Sequence, residues 1–78
     1  MTPDARKTIL QLLGERMAGA TICPSEVARA VASEDHWREA MPAVHAAVDE
    51  MIADGIISLS WKGRDLDRRS GAYRIRLR

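Results

Sequence analysis

The chain has 78 residues, of which 46% are hydrophobic and 29% charged, and its formal net charge is +1. That length holds one domain and that composition is globular rather than disordered, so a multidomain enzyme is excluded. A chain of this size buries only about 60% of its unfolded surface, and with two Trp, one Tyr and no Phe the core falls to aliphatic side chains, leaving no room for a large catalytic cleft.

The first helix is expected from Thr2 as N-cap, with Pro3 at the first helical position and Asp4 beside the positive end of the helix dipole. Ala5, Ile9, Leu12, Leu13 and Met17 recur at helical spacing as one apolar face. Gly19 ends the pattern, and Gly14 within it suggests a close approach by another element. After the extended piece Ala20-Thr21-Ile22, the run Cys23-Pro24-Ser25-Glu26 reads as cap, proline at the first position and glutamate at the third, which starts a second helix. Val27, Ala28 and Val31 keep it short.

Pro42 lacks an amide hydrogen and disfavours helical geometry at Met41, so the third helix is expected to start near Pro42, with residues 35–40 as a separate turn; the alternative is a kinked continuous helix. Val44, Val48, Met51 and Ile52 give its buried face, with Asp49 and Glu50 outward, and Asp54-Gly55-Ile56 supplies a glycine stop. The period then changes to two. Ile57, Leu59 and Trp61 alternate with polar residues, as do Tyr73, Ile75 and Leu77, so two half-buried strands are expected. Residues 63–71 between them are polar and bounded by glycines, and read as an open hairpin tip.

Three helices followed by an antiparallel hairpin make an α+β, mostly α, chain, and the order is that of a winged helix-turn-helix, read as a single domain over 1–78. The hairpin closes a core that three helices alone would leave open. The run Thr21-Ile22-Cys23-Pro24-Ser25-Glu26-Val27-Ala28-Arg29-Ala30, with Trp37-Arg38, Met41-Pro42 and Arg74-Ile75-Arg76-Leu77-Arg78, resembles a family of small bacterial domains of unknown function. That resemblance implies a winged-helix fold and carries over no activity and no catalytic residue. Some relatives have a further Cys-rich, zinc-binding segment, which a single Cys precludes here.

Charge is divided unevenly. Residues 1–60 hold five basic and nine acidic side chains, a net of −4, whereas residues 61–78 hold seven basic and two acidic, a net of +5. A polyanion-facing end is one reading; a solvated strand edge protected against aggregation is the other. In a winged helix the third helix enters the major groove and the wing follows the backbone. Lys62, Arg64, Arg68 and Arg69 are the candidate phosphate contacts on the wing, with Arg38 before the third helix and His45 on it. The third helix itself offers carboxylates and no Arg or Asn for reading base edges. The expected function is therefore duplex DNA binding that is wing-led and weakly sequence-selective, in transcription regulation. The alternative is a protein partner or homodimer on a face made by Trp37, Met41, Ala43 and Ala46.

No enzymatic activity is expected, because no nucleophile or base is oriented by a third group. Cys23, His36 and His45 match no compact metal site, and no cofactor is expected. Cys23 at a helix start has a physical basis for redox sensing, although a plain capping role suffices. A lone cysteine fits a reducing compartment, and thus the cytoplasm. The N-terminus has no basic segment leading into an apolar one, and no apolar run approaches the ~20 residues that span a bilayer, so neither export nor a membrane partner is expected.

Overall fold

A computed structural model describes residues 4–78. The order is α1 (Ala5–Gly14), α2 (Pro24–Val31), α3 (Trp37–Ala53), β1 (Ile57–Trp61), β2 (Arg64–Leu66) and β3 (Arg74–Leu77). The chain is thus α+β and mostly helical, with three helices and one antiparallel sheet in the order β2-β1-β3.

α1 is capped by Asp4, whose side chain accepts from the Arg6 amide at 3.0 Å, satisfying one of the free donors of the first turn. The expected cap at Thr2 and helical Pro3 lie outside the described residues. Ile9 and Leu13 are buried as their spacing predicts, but the helix stops at Gly14 rather than near Gly19, and Met17, past its end, is 86% exposed. Gly14 faces open space, with nothing within 4 Å of where a Cβ would lie, so no element approaches it closely. It acts instead as a poor helix former at the last position, after which the Arg16 amide bonds the Leu13 carbonyl in a tighter turn.

α2 begins where the sequence places it. The Cys23 amide donates to Glu26 Oε1 at 3.1 Å, the reciprocal arm of a capping box. Glu26 also pairs with Arg16, tying the turn after α1 to the start of α2.

α3 corrects the expectation of a start at Pro42. It begins five residues earlier, at Trp37, and runs through Pro42 to Ala53. The proline has no N–H to give to the Arg38 carbonyl one turn back, but Pro42 lies on an exposed part of the helix, where water can satisfy that carbonyl. The helix ends as its residues predict. Gly55, at φ +74°, follows the C-cap Asp54, the Gly55 amide bonds the Ile52 carbonyl, and the Ile56 amide bonds the Met51 carbonyl, both at 3.0 Å. This is the Schellman arrangement.

The segment read as an open tip contains a strand. Lys62 (φ 50°) and Gly63 (φ 80°) form a two-residue turn with both residues in the left-handed region, the geometry that matches the twist of a tight hairpin. β2 then pairs with β1 through Leu59↔Leu66, Ser60↔Asp65 and Trp61↔Arg64. β3 pairs with the other edge of β1, and Ile22 bridges Ile75 beyond it.

The core comprises Ile9, Leu13, Ile22, Val27, Ala28, Val44, Ala47, Val48, Met51, Ile57, Leu59, Tyr73 and Ile75. Val48 is buried while Asp49 and Glu50 are exposed, as expected. Trp61 and Leu77 are not core residues. They are 40% and 46% exposed, because alternation fixes which face of a strand a side chain takes but not whether a helix reaches far enough to cover its end.

Candidate functional site

Arg38, Pro42, His45 and Asp49 recur at i, i+4, i+7 and i+11 and so share one stripe of α3. The segment between β2 and β3 docks on the later half of that stripe. His45 Nδ1 lies 2.6 Å from the Tyr73 hydroxyl. One turn on, Asp49 accepts two bonds from Arg69, from Nε at 2.7 Å and from Nη2 at 2.8 Å, the bidentate geometry that makes Arg–carboxylate pairs directional.

The electrostatics follow from these contacts. Burial pushes the Tyr73 hydroxyl up to about 12, so it keeps its proton, and it shares one hydrogen bond with Nδ1. Burial, helped by the Arg69 charge, holds His45 below its ordinary value, with Asp49 opposing. His45 is then a neutral imidazole near neutral pH. The Arg69 hydrogen bond holds Asp49 below the usual carboxylate range, and Asp49 in turn raises Arg69.

The carboxylates that made α3 look unsuited to a polyanion all have basic neighbours. Glu50 and Asp54 face Arg6 at 3.8 and 3.1 Å, and Glu39 faces His36 at 3.5 Å. Such exposed pairs contribute little stability, and Arg6 and Arg69 offset two of the four carboxylate charges.

Of the six residues singled out for nucleic-acid contact, Lys62, Arg64 and Arg68 are exposed on the β1–β2 hairpin and the segment after it, and Arg38 is exposed on the first turn of α3. Among the described residues none of the four has a carboxylate partner. Arg69 and His45 are instead engaged in holding the β2–β3 segment on α3. Arg74 is occupied by Thr21, and Arg76 by Ser58 and Asp65. Of the alternative set, Ala43 and Ala46 are exposed, whereas Trp37 and Met41 are half-buried and packed against the core.

The sequence matches, over residues 3–78, the model of a family described as protein of unknown function (DUF3253). The chain belongs to this family. No curated protein matches it. The expected kinship with a small domain of unknown function thus holds at the level of the family, whose description names no activity and designates no site residues.

Several participants were missed in the sequence. Asp49 and Tyr73 stood only as a surface carboxylate and a core aromatic, and Arg6 and Arg29 went unremarked. His45 and Asp49 at i and i+4 did signal a shared face, but nothing local to residues 45–49 signals Arg69 and Tyr73, which come from 20 and 28 residues away. Cys23 is half-buried, with Sγ 3.0 Å from the Ser25 hydroxyl. Among the described residues no group of three or more His, Cys, Asp or Glu could hold a metal ion, and no helix is long and apolar enough to cross a membrane.

Proposed function

We propose that the chain is a winged helix-turn-helix that binds duplex DNA in the cytoplasm and acts in transcription regulation. α2 and α3 form the helix-turn-helix, and β1, β2 and the segment leading to β3 form the wing. The Ile22–Ile75 bridge beside the β1–β3 pair supports this reading, because it adds the short strand that such folds carry between the first two helices. One observation supports DNA binding above the others. Asp49 is paired with Arg69, and Glu50 and Asp54 share Arg6, while Arg38, Lys62, Arg64 and Arg68 have no carboxylate partner among the described residues. All four of these cations are exposed.

Recognition is weakly selective. The stripe of α3 offers Arg38 and little else that reads a base edge, so affinity comes from phosphates and from counterion release. Three or four contacts give a log-log salt slope of roughly −3, at ~0.9 per phosphate, with non-specific dissociation constants of about 10⁻⁴ to 10⁻⁶ M at physiological salt. Fluorescence anisotropy on random labelled duplexes at low salt tests this. Replacing Lys62, Arg64 and Arg68 together with Ala abolishes most binding for every sequence alike. Absence of binding by the unaltered protein would transfer the function to a protein partner or second copy on the α3 face bearing Ala43 and Ala46.

A further inference from the structure

We propose that Arg29, Trp37 and Arg38 form a second phosphate-binding site, separate from the wing, that takes neighbouring phosphodiesters of one DNA strand. The proposal rests on the DNA-binding reading above and adds to it a site at the junction of α2 and α3. Arg29 comes from the last turn of α2 and Arg38 from the first turn of α3, yet both guanidinium groups sit on the ring of Trp37, at 4.7 and 4.5 Å from its centre. Trp37 itself is half-buried and packed against the core, so the ring is a fixed support for the two cations.

The arrangement suits an anion. Two guanidinium groups held on one ring cannot be more than about 9 Å apart, so both add to one local positive potential. Elsewhere in this protein arginines that come near a structural role find a carboxylate or an acceptor: Arg6, Arg16, Arg69, Arg74 and Arg76 all do. Among the described residues neither Arg29 nor Arg38 has one, and the nearest acidic residue in sequence, Glu39, is turned to His36. Both arginines are exposed. Stacking on the indole leaves the N–H edges of a guanidinium free for bidentate contact with phosphate and removes much of the side-chain freedom that binding would otherwise have to freeze. Each strand of duplex DNA presents one charge per ~3.4 Å of axis, so two cations within about 9 Å of each other can meet neighbouring phosphates of one backbone.

The test uses the full chain carrying Trp61→Phe, which leaves Trp37 as the sole tryptophan at a position where Trp61 is exposed. Titration with a random 20-base-pair duplex at low salt should change Trp37 emission saturably, with the same midpoint as anisotropy of the labelled duplex. Arg29→Ala with Arg38→Ala should weaken binding and make the salt slope shallower by roughly 1.8, at ~0.9 per phosphate lost. Arg29→Gln with Arg38→Gln, which keeps a planar group on the ring, should do the same and guards against a folding effect. Inorganic phosphate at the same charge concentration should leave Trp37 emission unchanged if two linked phosphodiesters are the ligand, and a response equal to that of the duplex would overturn the proposal. Unchanged affinity and slope in both double variants, alongside lost binding in the wing variant, would overturn this site and leave DNA binding standing. No duplex binding by the unaltered chain would overturn both.

Discussion

Tyr73, His45, Asp49 and Arg69 each do something ordinary, and together they fasten the β2–β3 segment to α3. The phenol and Nδ1 share a hydrogen bond, the carboxylate takes a forked pair of bonds, and the two contacts lie one turn apart on α3. The sequence showed the α3 half of this arrangement and could not show the other, because hydrogen-bond partners 20 and 28 residues away depend on the course of the hairpin. Cys23 shows the opposite case. Its place before Pro24 and three residues before Glu26 defined a helix start that the structure contains. Serine is at least as good a cap, so Cys23→Ser should leave the melting temperature unchanged or slightly raised in thermal denaturation followed by circular dichroism. A fall of many degrees would mean that the thiol fills space that a hydroxyl cannot.

At the scale of elements, patterns of apolar residues were read correctly wherever the pattern and the packing coincide. The buried faces of α2 and α3 and the glycine stop at Gly55 are where spacing puts them. The failures have separate causes. Local rules end a helix before a proline, but burial of Val44, Val48 and Met51, with Trp37 and Met41 packed against the core beside them, carries α3 through Pro42. β2 was hidden because three residues are too few to display alternation and because lysine is an uncommon occupant of a left-handed turn position. Pro42→Ala should therefore stabilise the protein. It restores an amide for the Arg38 carbonyl and removes the ring from a helix interior, a change worth about 1 to 3 kcal/mol, visible as a higher denaturation midpoint in urea. An unchanged or lower midpoint would mean that the ring makes a contact worth keeping.

Across the whole molecule, the shifted groups predict a stability dome in pH. His45 is held below 6.5, so its contribution is present above that value and is lost as pH falls through the folded value. Glu26 behaves likewise below 4.5: burial raises it, but the Arg16 hydrogen bond, the Cys23 amide and nearby positive charge lower it further. Asp49 follows below 3.8. Tyr73, raised from 10.0 to about 12, contributes fully below 10.0 and loses that contribution as pH climbs toward the folded value. Melting temperature should thus be flat from about pH 7 to about 9.5 and fall on both sides; a rise on going from pH 7 to 5.5 would contradict the neutral assignment of His45.

The same whole-molecule view separates net charge from usable charge. The sequence shows +5 after residue 60 and −4 before it, but folding pairs Arg69 with Asp49 and Arg6 with Glu50 and Asp54, so the free cations are a different set from the one that a count along the chain suggests. Lys62, Arg64, Arg68 and Arg38 remain from the sequence reading, and Arg29 joins them.

The central claim is that these free cations bind the backbone of duplex DNA, and the salt dependence of binding tests it most directly. Anisotropy of random duplexes across a range of salt concentrations should give a log-log slope of roughly −3 or steeper for the unaltered protein, shallower by roughly 2.7 when Lys62, Arg64 and Arg68 are replaced by Ala, at ~0.9 per phosphate lost. A slope near zero in the unaltered protein, or the same slope in the triple variant, would contradict it.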